Sequence, residues 1–248
     1  MYFKQQRSTI DKGYRMTQLF KILLLALVLL LPQTIFANEQ KRFIPVYVNP
    51  YYTSAVDGKS APKVKVNKRF DTLLASSKQE DILHVEKMTQ DSPDMVTPMT
   101  MMVLAIRLYD VGLRDRSVFW FYVAKDRFFT LAGVANTKHR SLIEVENAIK
   151  SFATLTGPFF NSYAFCDISK QQQIRKESLQ WVINHPYKAI YMKNMPLLPG
   201  SIDKNLQKTI DNLQNGIEKS KAYFSNKEKL DEFYKQRKLN KVDEQFCW

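Results

Sequence analysis

From Asn67 onward the apolar residues recur at helical rather than strand spacing. Phe70, Leu73 and Leu74 make one short apolar face, and Ile82, Val85 and Met88 repeat at steps of three, which predicts a helix ending near Asp91-Ser92-Pro93. Thr97-Pro98 places an N-cap residue before a proline suited to the first helical position. The helix it starts, Met99 to Val111, is apolar nearly all round and is expected at the centre of the fold. Gly112 is the expected left-handed residue at its end. Asp115 is read as the cap of the next helix, which runs to about Leu131. Its segment Val118-Phe119-Trp120-Phe121-Tyr122 covers every direction with apolar or aromatic groups, so it too is expected to be buried.

Beyond this pair, Ser141 and Glu144 are spaced as a capping box before a helix carrying Ile143, Ala148, Ile149 and Phe152, which Gly157-Pro158 is expected to break. Ser169 and Gln172 suggest a second box, before a helix with Ile174, Leu179, Trp181, Val182 and Ile183 that ends at His185-Pro186. Met195-Pro196-Leu197-Leu198-Pro199-Gly200 reads as a loop with an apolar centre. Ile202, Leu206, Ile210, Leu213, Ile217 and Phe224 then form one stripe on an otherwise polar, basic helix. Ser225 and Glu228 suggest a third box, opening a last helix around Leu230, Phe233 and Leu239.

Residues 38–66 read differently, with prolines at 45, 50 and 62, β-branched residues between them, and the turn cluster Asp57-Gly58-Lys59-Ser60-Ala61-Pro62. They are expected to form an extended arm, with or without a short hairpin, laid across a helical body. Before the arm, a basic stretch leads into ten uninterrupted apolar residues, Ile22 to Leu31, closed by Pro32 and followed by Ala37 and the polar run Asn38-Glu39-Gln40-Lys41. This is the layout of a cleavable signal peptide. A membrane span needs about 20 apolar residues. Either Met1 or Met16 can serve as the start. The expected organisation is therefore a signal peptide over 1–37, an arm over 38–66 and a compact, mainly α domain over 67–248. The expected location is the periplasm or the medium, with the membrane met only through the signal peptide before cleavage.

The spacing of Leu104, Ala105, Leu108, Gly112, Ser117, Phe121 and Ala124 is similar to the tetratricopeptide helix-turn-helix, in which small residues let two helices approach closely. Only one such unit is present, and an array needs about three or more. The run Thr97-Pro98-Met99-Thr100, Leu108 to Asp115 and Val118 to Tyr122 resembles a family of uncharacterised exported bacterial proteins. The resemblance implies export and helicity and carries no activity.

Composition narrows the chemistry. The formal charge is +13, of which residues 1–37 supply a net four. Such an excess favours anionic surfaces, an envelope protein or an anionic envelope component among them. No run of Lys and Arg with interleaved aromatics marks nucleic-acid binding. The three histidines, His84, His139 and His185, lack partners at metal-ligand spacing. There is no glycine-rich phosphate loop and no Gly-x-Ser-x-Gly elbow, so no metal, cofactor or catalytic residue is expected. Arg107, Arg114, Asp115 and Arg127 are the candidates to line a groove for an anionic ligand. Cys166 and Cys247 are the only cysteines. In an oxidising compartment they can close a loop of about 80 residues, worth up to roughly 4 kcal/mol; otherwise they are two free thiols. The reading that fits best is a non-enzymatic binding or interaction module of the cell envelope. The alternative is an envelope hydrolase whose site is assembled only in three dimensions.

Overall fold

The computed structural model describes residues 44–55 and 60–248. The described residues belong to one compact unit, Lys41–Trp248. The expected signal peptide, the first residues of the arm and part of its turn cluster lie outside the described residues.

The arm forms a small antiparallel sheet in the order β1 (Tyr47–Val48), β2 (Tyr52–Thr53) and β3 (Lys63–Val64). Val48 pairs with Tyr52, and Tyr52 with Val64. The turn between β1 and β2 contains a cis Asn49–Pro50 bond. Ile44, Val46, Val48 and Tyr52 are buried, so the arm contributes one apolar face to the core. One side chain of the helical body ties it down, the Ile44 amide donating to Asp110 Oδ1 at 3.0 Å, and within the arm the Val46 amide donates to Ser54 Oγ at 2.9 Å.

The rest is helical: α1 (Asp71–Leu74), α2 (Gln79–Asp91), α3 (Pro98–Asp110), α4 (Arg114–Val134), α5 (Ile143–Ala164), α6 (Ile168–Asn184), a 3-10 turn (Lys188–Tyr191), α7 (Ile202–Ser225), α8 (Lys227–Leu239) and α9 (Val242–Phe246). The chain is mainly α, as its periodicity predicts. Thr97 caps α3 through its side-chain oxygen, which accepts from the Thr100 amide, with Pro98 at the start of the helix. Every residue from Pro98 to Tyr109 is buried. Full burial of a side chain such as Leu104 stabilises the fold by about 1.5–3 kcal/mol. Gly112 turns the chain at φ +85°, and α4 returns against α3 as a helical hairpin with Ala105, Ser117 and Ala124 fully buried. Helix α4 also touches α5, α6 and α7, which explains an apolar pattern that points in all directions.

Several expected boundaries are corrected. Helix α4 starts at Arg114, with Leu113 at the N-cap, so Asp115 lies in the first turn and caps nothing. The turn at Gly112 is tight enough for the helix to begin two residues earlier. Helix α5 has Leu142 at its N-cap and no side-chain cap, since Ser141 Oγ bonds the His139 ring instead. Nor does Gly157-Pro158 break α5, which runs unbroken to Ala164. A residue before proline is pushed out of helical geometry by its own Cβ, and Gly157 has none. Asp167, not Ser169, caps α6 by accepting from the Lys170 amide. Asn226, not Ser225, caps α8, and the Ser225 hydroxyl donates back to Lys221 O.

Cys166 and Cys247 form a disulfide with Cα atoms 5.6 Å apart. Beside it Arg237 donates from Nη2 to Ser162 O at 3.0 Å and from Nε to Asp243 Oδ1 at 2.7 Å. Phe159 packs edge-on against Phe246, so bridge, guanidinium and ring together hold α9 on α5.

Candidate functional site

The four residues expected to share an anion groove separate into structural roles. Arg107 is buried, donating to Leu74 O (2.9 Å), Ser76 O (2.8 Å) and Asp110 Oδ2 (2.5 Å). Burial pushes the Asp110 carboxyl up to about 6, against the pull of Arg107 and the Ile44 amide. Arg127 is completely enclosed. Its guanidinium donates to Pro93 O, Val96 O and His185 O and lies between the rings of Trp181 and Tyr187. Burial lowers its pKa to about 10, so it stays charged at neutral pH. Neither arginine therefore reaches a groove. Arg114 and Asp115 do stay together. Arg114 stacks 3.4 Å from the centre of the Trp248 ring, donates to the Trp248 backbone oxygen, and has the Tyr109 and Tyr163 rings nearby. Asp115 accepts from Tyr163 Oη (2.8 Å) and Lys170 Nζ (3.1 Å). Burial, together with that bond to Asp115, pushes the Tyr163 hydroxyl up to about 12. A cavity of about 240 Å³ opens beside this cluster, with the disulfide in its wall.

A larger concavity, of about 750 Å³, lies between α6 and α7. Ser169, Gln172, Gln173, Lys176, Gln180 and Ile183 line it from α6, at steps that keep them on one helix face. Gln214, Ile217, Glu218 and Lys221 face them from α7. With a rise of 1.5 Å per residue, the α6 wall is about 21 Å long. Ile183 and Ile217, with the buried Leu179 beneath, supply its apolar surface; amides, two lysines, one glutamate and one serine supply the rest. The apolar stripe of α7 explains why the groove exists. Its first turns, through Ile202 and Leu206, pack on the core, and Phe224 packs against Phe165 and Phe233. Between these anchors no residue of α7 is buried, so the middle of the stripe is only half covered.

No family model and no solved structure matches the chain. It is 31% identical over 212 residues to an uncharacterised protein of Haemophilus influenzae, a match spanning 86% of this chain and 81% of that one. The chain belongs to the family of that Haemophilus protein. Family membership carries no activity with it, so the reading of function rests on this chain's own surfaces.

The groove is the feature that sequence reasoning missed. Its signal was present as Gln171-Gln172-Gln173 followed by Leu179 and Ile183, but amides at helical spacing look like any solvated face. Two buried acids were missed as well. Glu86 accepts from Trp120 Nε1 at 2.8 Å and pairs with Arg116 at 3.1 Å. Asp126 holds Arg175 through two bonds, at 2.5 and 2.9 Å. Burial raises the Asp126 pKa against that pairing. Glu86 joins α2 to α4, and Asp126 joins α4 to α6 and so helps to fix the α6 wall of the groove. Among the described residues, no three His, Cys, Asp or Glu side chains gather as a metal site.

Proposed function

We propose that the protein is an exported, non-enzymatic interaction module of the cell envelope, cleaved near Ala37, which seats an amphipathic helical segment of a partner protein between α6 and α7. The hairpin α3–α4, tetratricopeptide-like in its small-residue spacing, is the scaffold for that site. The observation that carries the reading is the groove itself. Its walls are two long helices, half-buried Ile183 and Ile217 offer apolar surface from the two sides, and amides border them. A partner helix with an apolar stripe would meet those two side chains, with its polar flanks bonded by Gln172, Gln180 and Gln214.

The test is a photoreactive residue at Gln180 in the native envelope, with a second at Glu228 on α8 as control. The expected result is a protein adduct at Gln180 alone, mapping by mass spectrometry to an apolar-striped segment and lost with Ile217→Asp. No adduct, or one indifferent to Ile217→Asp, removes the reading.

A further inference from the structure

Away from the groove, three loops meet at one end of the molecule. Arg127 reaches the loop before α3 through Pro93 O (2.7 Å) and Val96 O (3.1 Å), and the end of α6 through His185 O (2.8 Å). The Lys188 amide donates to Asp94 O at 3.0 Å, and the Lys188 ammonium pairs with the Asp94 carboxylate. The loop after α4 is tied in by the Asn136 amide on Pro196 O (2.7 Å) and the Leu198 amide on Val134 O (2.8 Å). The backbone here is braced from several sides, yet it leaves large apolar side chains in water. Met95, Tyr191, Met192 and Leu197 are 53, 51, 55 and 44% exposed. Exposed apolar groups on so firmly held a backbone mark an interaction surface.

The charge of this end is positive. Asp94 is paired with Lys188, Asp203 accepts from Tyr191 Oη at 3.4 Å, and Glu146 is held by Lys150 and Thr137. Lys138, Arg140 and Lys193 are exposed and make no salt bridge among the described residues. Apolar tips on separate loops, with cations beside them, require a partner that offers apolar and anionic layers together and adapts to uneven relief. A bilayer does so, and the charge of about +9 left after removal of residues 1–37 (13 minus 4) draws it to an anionic one.

We propose that this end is a peripheral membrane-docking surface: Met95, Tyr191, Met192 and Leu197 enter the headgroup boundary of an anionic bilayer, and Lys138, Arg140 and Lys193 meet its phosphates. Among the described residues no helix is long and apolar enough to cross a membrane, and docking of this kind needs none. It departs from the expectation that the chain meets the membrane only through its signal peptide before cleavage.

The experiment uses the full chain with vesicles of phosphatidylcholine, with and without phosphatidylglycerol. Met192→Asp combined with Leu197→Asp is expected to weaken binding to anionic vesicles by about tenfold or more. Lys138→Gln and Lys193→Gln should each weaken it by about fivefold. Leu239→Asp, on α8, should change nothing. All these positions are exposed, and unchanged melting temperatures confirm folding. The apolar run Ile22–Leu31 could bind lipid by itself, so a local readout is added. An environment-sensitive fluorophore in place of Met192 should shift to the blue on anionic vesicles, and one in place of Leu239 should not. An unshifted fluorophore at 192, or equal shifts on neutral and anionic vesicles, overturns the proposal. So does a photoreactive group at 192 that captures protein while the vesicles leave the fluorophore unmoved, which would assign the surface to a protein partner.

Discussion

Gly133 gives the sharpest test of how α7 is seated. A methyl group built on it meets Thr209 of α7 well inside contact distance of Oγ1, at 3.0 Å from Cβ and 3.2 Å from Cγ2. Two effects compete in Gly133→Ala. Replacing glycine by alanine inside a helix stabilises by about 1 kcal/mol. Overpacking a tight contact costs about 1–3 kcal/mol. The clash involves Cβ as well as the hydroxyl, so rotating Thr209 about its first torsion cannot relieve it. Its Oγ1 is also committed to Asn205 O at 2.9 Å. A contact this close belongs at the upper end of that range, about 2–3 kcal/mol, so overpacking should win with a net loss of about 1–2 kcal/mol. Urea unfolding measures this directly, and a double-mutant cycle assigns the cause. In a Thr209→Gly background the obstructing atoms are gone, so Gly133→Ala should become neutral or stabilising, with a coupling of about 1–3 kcal/mol. If Gly133→Ala were as stable as the parent, or cost the same in both backgrounds, the close approach of α4 and α7 would be wrong, and one wall of the groove with it.

Other outcomes follow from the same geometry. Replacing both cysteines by serine should cost about 4 kcal/mol for a bridge spanning 81 residues, read by urea unfolding without reductant. Asp110 has its carboxyl raised from 3.8 to about 6 in the folded state. Its folded form therefore prefers the proton: the contribution is full below about pH 4 and is lost as pH rises through 6, amounting to about 3 kcal/mol. Asp110→Asn should flatten that part of the stability–pH curve. Arg127→Met leaves two buried carbonyls and one half-buried carbonyl without their donor and should cost about 3 kcal/mol or more, with faster amide exchange in residues 93–96 and 185–191. Gly112→Val should cost about 1 kcal/mol in thermal unfolding, from backbone strain alone, because nothing crowds its Cβ position.

Helices were legible where burial is one-sided or complete. The all-round apolar pattern of Met99–Val111, the Thr97-Pro98 start and the Gly112 turn are dictated by local physics, and the fold uses them all. Helix starts were less legible, because serine, aspartate and asparagine near a boundary compete for one role. Asp167 and Asn226 prevail over the serines beside them. Proline misled in the usual direction at 158, where the preceding glycine removes the steric reason to stop. The site was least legible. Arg107 and Arg127 look like ligand-binding charges in sequence, but their carbonyl partners lie tens of residues away along the chain. The groove is made of residues with no chemical signature, and only the packing of α7 onto α4 creates it.

The position of the disulfide along the chain has a consequence for how the groove can fail. Both of its helices, and α8 after them, lie between Cys166 and Cys247. They belong to one covalent ring whose clasp joins the turn after α5 to the residue after α9, outside the groove. A protease that nicks the exposed loop Met192–Gly200, or a fluctuation that peels α7 from α4, cannot release either wall while the clasp is closed. The cut ends stay tethered and can re-dock. On a non-reducing gel such a nicked molecule migrates as one chain, and it separates into two only after reduction.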